Sequence, residues 1–160
     1  MPTRAHAQTV IAYLSSRGET VSVAESLTAG GLGHAITQIA GASEVFLGGV
    51  IAYSPSSKVE MLGVSAKTIE DFTIVSEEVA IEMAEGARKK FGTTWGIATT
   101  GIAGPGDYMG IPEGSVWVAI RGPINQTIQL QLDSGREAIR TGAISSAIGT
   151  FARILSYRTA

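Results

Sequence analysis

The chain runs to 160 residues, 44% of them hydrophobic, with 12 Lys and Arg against 14 Asp and Glu and a formal net charge of −2. One domain covering residues 1–160 is expected, long enough to bury roughly 70% of the surface its unfolded form exposes. The charge balance leaves no basic field for nucleic acid, and the lack of cysteine excludes disulfides, thiolate catalysis and cysteine-ligated metal.

No apolar run approaches the roughly 18 residues of a membrane span. The start, Met1-Pro2-Thr3-Arg4-Ala5-His6, leads into Gln8, Tyr13, Ser15 and Arg17 rather than an apolar signal core, so a soluble, cytoplasmic protein with no membrane partner is expected. Val10, Ile11 and Leu14 at helical spacing predict an opening helix stopped by Gly18. Residues 20–24 read as a strand that runs into Ser26-Leu27-Thr28 and a helix placing Leu32, Ile36 and Ile39 on one face. Gly30, Gly31 and Gly33 each disfavour that helix by roughly 1 kcal/mol, which implies close backbone approach to a ligand or to the neighbouring strand.

Residues 49–53 form a second predicted strand, ending at Ser54-Pro55, with a short helix from about Ser56 or Ser57 to Gly63 and Lys58 in its first turn. Ser65 and Ser76 read as further N-caps. Glu77 and Glu78 complement the dipole of a helix that buries Val79, Met83 and Ala87 and stops after Lys89-Lys90 near Gly92. Residues 95–100 are apolar enough for a strand covered on both faces and empty into the Gly101-to-Gly106 loop. Two more strands, 115–120 and 127–132, flank Gly122-Pro123-Ile124-Asn125 as an antiparallel hairpin. A last helix from about Arg136 carries Ile144, Ile148, Phe151 and Leu155 inward. This order predicts a three-layer α/β/α sandwich with a mixed sheet of about five strands.

In open α/β sheets ligands collect beyond the carboxyl ends of the parallel strands, beside helix N-termini. Ser26, Tyr53 and Thr100 each fall at such an end. A serine needs a base to act as nucleophile. His34 lies on the helix after Ser26, about 12 Å of rise away, and reads as a surface histidine. The Glu25-Ser26-Leu27 setting lacks the flanking glycines of a nucleophile elbow. Lys58 is the better base: the positive helix end and partial burial both lower an ammonium's pKa, so a neutral amine is placed to take the Ser26 proton directly or through the Tyr53 hydroxyl. The alternative is a solvated surface lysine.

Gly101-Ile102-Ala103-Gly104-Pro105-Gly106 is neither a Walker loop nor a dinucleotide fingerprint, but after a strand it offers backbone N–H groups to an oxyanion or a phosphate. Asp107, Tyr108 and Glu113 read as a flexible continuation positioned to close over substrate. Arg136 and Arg140, one turn apart, either bind phosphate or pair with carboxylates such as Glu137. No residues have metal-ligand spacing, so no metal is predicted.

These segments resemble a known family. Ala24-Glu25-Ser26-Leu27-Thr28-Ala29-Gly30-Gly31, Tyr53-Ser54 with Lys58 and Leu62-Gly63-Val64, Val75-Ser76-Glu77-Glu78-Val79-Ala80, Met83-Ala84-Glu85-Gly86-Ala87 and Thr100-Gly101-Ile102-Ala103-Gly104-Pro105-Gly106 are similar, in order and spacing, to the C-terminal domain of the competence/damage-inducible CinA proteins. Stand-alone members are nicotinamide-nucleotide amidases. The resemblance implies hydrolysis of nicotinamide mononucleotide to nicotinate mononucleotide and ammonia without a cofactor. Ser26 would be the nucleophile, Tyr53 and Lys58 would move protons, and Thr100 would position the carbonyl or the water. Glu25, Thr28, Gly30, Gly31, Gly101, Ala103, Gly104, Gly106, Arg136 and Arg140 would hold the nucleotide. Departures from the family pattern fall at Leu27, at Gly48-Gly49, in the Asp107-to-Gly114 loop and at Ser134. Two other readings stand beside the amidase: a nucleotide-binding module of the same fold without activity, and a serine hydrolase of another small amide. The half-exposed 127–132 strand leaves an edge for a second copy, so a homodimer is expected.

Overall fold

The computed structural model describes residues 2–133 and 135–158; Met1, Ser134, Thr159 and Ala160, and with them the departure at Ser134, lie outside the described residues. Among the described residues seven helices and five strands follow in the order α1 (Pro2–Arg17), β1 (Val21–Glu25), α2 (Gly31–Thr37), α3 (Ala42–Val45), β2 (Phe46–Ile51), α4 (Pro55–Leu62), α5 (Ala66–Phe72), α6 (Glu77–Phe91), β3 (Trp95–Gly101), β4 (Ser115–Arg121), β5 (Gln126–Gln131) and α7 (Arg136–Tyr157). The strands form one mixed sheet in the order β2-β1-β3-β4-β5. β2, β1 and β3 run parallel, β4 is antiparallel to β3 and β5 to β4, so β4 and β5 form the hairpin that the short Gly122-to-Asn125 connection predicts.

Two apolar layers sandwich the sheet. On one side Val10 and Leu14 of α1, Leu32 and Ile36 of α2 and Ile148 and Phe151 of α7 pack on Val23, Ile97 and Val118. On the other, Leu62 of α4 and Val79, Met83 and Ala87 of α6 cover Ala24, Val50, Ala98 and Ala119. The α6 layer is close: a Cβ at Gly96 would collide with the Ala84 carbonyl, and one at Gly86 with that of Leu62. Among the described residues no helix is long and apolar enough to cross a membrane.

Several boundaries depart from the sequence expectation, α4 among them, which begins at Pro55 rather than at Ser56 or Ser57. β2 begins at Phe46 rather than near Gly49 and stops at Ile51, short of Tyr53. Gly48 and Gly49, poor strand formers, sit there because side chains would strike Phe91 and Val23. The one-turn α3 before it carries no periodic pattern. The chain after Ser26 first makes a turn, so α2 starts only at Gly31 and Ile39, though buried, lies beyond its end.

Candidate active site

The parallel strands finish level with one another: Glu25 pairs with Ile51 of β2 and with Thr99 of β3. Ser26 extends the ladder by one bond, its N–H donating to the Thr99 carbonyl at 3.0 Å. The chain then reverses through Ala29 (φ 46°) and Gly30 (φ 94°), with the Ala29 N–H on the Ser26 carbonyl at 3.0 Å.

Glu25 fastens this turn. Its buried carboxylate accepts the Thr28 hydroxyl at 2.6 Å and the N–H groups of Gly30, Leu32 and Gly33 at 3.0, 3.0 and 2.8 Å. Those amides belong to the start of α2, where N–H groups lack intrahelical partners and the dipole favours an anion. Thr28 has given its proton to Glu25, so in the 2.7 Å contact between the two threonine hydroxyls it is Thr99 that donates. From α7, Arg140 donates to the carbonyls of Leu27 and Thr28 at 2.9 and 3.4 Å.

Lys58 arrives from the opposite layer. Ser54 caps α4 in a reciprocal box: its hydroxyl accepts the Ser57 N–H at 3.1 Å, and the Ser57 hydroxyl accepts the Ser54 N–H at 3.0 Å. With Pro55 opening the helix, Lys58 falls one turn in and points down toward β1. Its side chain, 1% exposed, donates to Ser26 Oγ at 3.1 Å and to the Ala52 carbonyl at 2.8 Å. Among the described residues no carboxylate is bonded to it, and burial lowers its pKa from the usual 10.5 to about 8. At pH 7 roughly a tenth of it is therefore free amine, a share that rises steeply with pH. That amine can keep donating to Ala52 while its lone pair faces the Ser26 proton.

Above the pair opens a cavity of about 340 Å³. Ser26 and Lys58 form its buried floor, and Leu27, Ile74, Val75 and the Gly101-to-Gly106 loop its walls. Exposed Tyr53 and half-exposed Tyr108 stand at the rim with Arg136. Arg136 donates to the Gly104 carbonyl at 2.6 Å and to the Tyr53 hydroxyl at 3.1 Å, and among the described residues it makes no ion pair. The Thr100 hydroxyl donates to the Ile74 carbonyl at 2.9 Å, fixing that wall to β3. Several cavity amides are already engaged: Ser26 on Thr99, Ile102 on Ser115 and Gly106 on the Glu113 carboxylate. The Leu27 and Ala103 N–H groups have no acceptor among the described residues.

A hydroxyl beside a buried, pKa-lowered lysine, with free amides close by, is equipment for acyl transfer. Comparison with known proteins accords with the resemblance read in the motifs. The family model of the CinA C-terminal domain matches residues 3–155. The chain belongs to the CinA C-terminal domain family.

A CinA-like protein of Rippkaea orientalis is 41% identical over 157 residues, covering 95% of this chain and 38% of the relative. A putative competence-damage inducible protein of Limosilactobacillus reuteri is 44% identical over 84% of this chain and 34% of its own length. The chain thus spans well under half of these curated relatives. Among solved structures, the competence/damage inducible protein CihA from Agrobacterium tumefaciens superposes with a TM-score of 0.92 at 32% identity, covering 98% of this chain and 96% of that one. A CinA superfamily protein from Klebsiella pneumoniae gives 0.93 at 29% identity, covering 97% and 98%.

Within this CinA fold Ser26, Tyr53, Lys58, Thr100, Gly101, Ala103, Gly104, Gly106 and Arg136 all line the one cavity. Five expected substrate contacts do not. Glu25 and Thr28 are buried and bonded to protein. Gly30 gives its N–H to Glu25 and Gly31 to the Thr28 carbonyl, and a side chain at Gly31 would strike Ile144 of α7. Arg140 grips the Ser26 turn from behind. These glycines serve close packing within the protein rather than ligand approach. The relay through Tyr53 is not made either: Lys58 meets Ser26 directly, and the Tyr53 hydroxyl bonds Arg136. His34 is exposed and bonds Gln38. Ile74 and Val75 were not anticipated as a wall, since two apolar loop residues carry no distinguishing signal.

Proposed function

We propose that this chain is a serine amidohydrolase converting nicotinamide mononucleotide to nicotinate mononucleotide and ammonia. The observation that carries the chemistry is the 3.1 Å contact between Ser26 Oγ and a buried Lys58 whose pKa lies at about 8; the choice of substrate rests on the resemblance to stand-alone CinA-type amidases. Neutral Lys58 takes the Ser26 proton as Oγ attacks the carboxamide carbon. The Leu27, Ala103 and Gly104 N–H groups, which have no acceptor among the described residues, are candidate donors to the developing oxyanion. When the C–N bond breaks, the Lys58 ammonium returns the proton to the departing nitrogen, which leaves as ammonia. A water, deprotonated by Lys58, then attacks the ester on Ser26, and the proton passes back to Oγ as nicotinate mononucleotide departs. Arg136, exposed at the rim with no carboxylate partner among the described residues, suits the substrate phosphate.

The test is ammonia release from nicotinamide mononucleotide by wild type in chelator, with Ser26→Ala beside it. Turnover is expected in the first and a loss of about a thousandfold or more in the second. A folded wild type that releases no ammonia would refute the assignment in favour of a binding module or an enzyme for a different amide.

A further inference from the structure

The loop after Gly106 is a braced hairpin. Tyr108 and Ile111 exchange both backbone bonds, Tyr108 N–H to the Ile111 carbonyl at 3.0 Å and Ile111 N–H to the Tyr108 carbonyl at 2.9 Å. Between them Met109 (φ 49°) and Gly110 (φ 78°) both take left-handed conformations, as the tightest hairpin turn requires. The base is pinned three times: the Gly106 N–H donates to the Glu113 carboxylate at 2.6 Å, the Glu113 N–H to the Asp107 carboxylate at 2.8 Å, and Gln131 of β5 to the Glu113 carbonyl at 2.8 Å. Asp107 and Glu113, read from sequence as part of a flexible flap, are the braces that hold the loop up.

The bracing keeps Tyr108 at the cavity rim. Its side chain is 49% exposed, and its hydroxyl makes no hydrogen bond to any described residue, whereas the Tyr53 hydroxyl is held by Arg136. A carboxamide must descend to Ser26 on the floor to react, so whatever is attached to it occupies the upper cavity. An aromatic face left half in water there gains by being covered.

We infer that Tyr108 is a specificity-determining residue, packing its ring on the part of the substrate that lies beyond the scissile carboxamide. The inference rests on the amidase reading for its choice of ligand. It makes the preferred substrate a carboxamide on a ring bearing a bulky polar extension, such as a nucleoside monophosphate, with the bare carboxamide at a disadvantage. Energy gained on that remote part is available for orienting the reacting one.

The experiment compares nicotinamide mononucleotide with free nicotinamide in wild type, Tyr108→Ala and Tyr108→Phe. Tyr108→Ala should lose about tenfold in kcat/KM on the mononucleotide, chiefly through KM, and change little on nicotinamide; Tyr108→Phe, keeping the ring, should restore the wild-type KM. Equal losses on both amides, no loss on the mononucleotide, or a Phe variant as poor as the Ala variant would overturn the inference. Calorimetric titration with nicotinate mononucleotide separates the two levels. Its Kd should rise about tenfold in Tyr108→Ala whether or not the protein turns over. An unchanged Kd sinks the Tyr108 assignment alone, and absence of ammonia from wild type sinks the amidase alone.

Discussion

The floor and the rim of the cavity are built in opposite ways. On the floor and in the turn beneath it the polar side chains are buried and partnered: Lys58 is fixed between Ser26 and Ala52, and below them Glu25 carries four donors and Thr28 and Thr99 share a bond. At the rim, Tyr53 is 56% and Tyr108 49% exposed, and the 106–113 hairpin is held by main-chain and carboxylate braces. A reaction that moves protons over ångströms needs groups whose positions do not vary. Recognition of a substrate's outer parts tolerates looser supports. Substitutions on the floor should therefore change kcat, and those at the rim chiefly KM.

Lys58 makes the largest break in that contrast, because it sets chemistry against stability. Lys58→Met should cut turnover by about 10²–10⁴-fold, the usual worth of a general base, and wild-type kcat/KM should climb with pH through about 8 to a plateau as the amine loses its proton. The folded-state pKa lies below the unfolded 10.5, so the unfolded chain holds more protons between those values and this lysine's burden on folding is full below about pH 8 and fades toward 10.5. Denaturant titrations should thus show the stability of Lys58→Met relative to wild type falling by about 3 kcal/mol between neutral and strongly alkaline pH. A difference independent of pH, or a kcat/KM profile flat through pH 8, would leave Lys58 a spectator.

Glu25→Gln tests the floor at one remove. A glutamine presents NH₂ where amides of α2 point, so the turn loses acceptors, at a cost of about 2–4 kcal/mol. Because Glu25 does not line the Ser26 cavity, kcat should fall with KM nearly unchanged, and a rise in KM alone would return Glu25 to substrate binding. Its role was partly legible. Adjacent residues of a strand face opposite sides, so a cavity-facing Ser26 already turns Glu25 toward the α2 layer, and an acid preceding a glycine-rich helix start is a natural anion for it. The places of Ser26 and Thr100 in the cavity wall were readable because strand ends are local signals, and that of Lys58 because a helix was expected just after Ser54-Pro55, although α4 begins at Pro55 with Ser54 as its cap rather than at Ser56 or Ser57. The five-strand sheet was readable for the same reason, from apolar periodicity. β2 was blurred because Gly48 and Gly49 answer to Phe91 and Val23 across the sheet, contacts that no local pattern records. The hairpin at the rim was hidden by Met109, a non-glycine in a left-handed turn position.

The smallest effect should come from Tyr53→Phe, which makes it the sharpest test of where floor ends and rim begins. If protons travel directly between Ser26 and Lys58, as their 3.1 Å contact allows, the phenol is needed only to hold Arg136, and its loss should raise KM for the mononucleotide about two- to threefold with kcat and its pH profile intact. A relay would behave otherwise, since removing the hydroxyl would break the proton path and lower kcat by orders of magnitude at every pH. Such a fall in kcat would mean that Tyr53 leaves Arg136 and moves in over the floor when substrate binds, and the division between the two regions would hold only for the empty cavity.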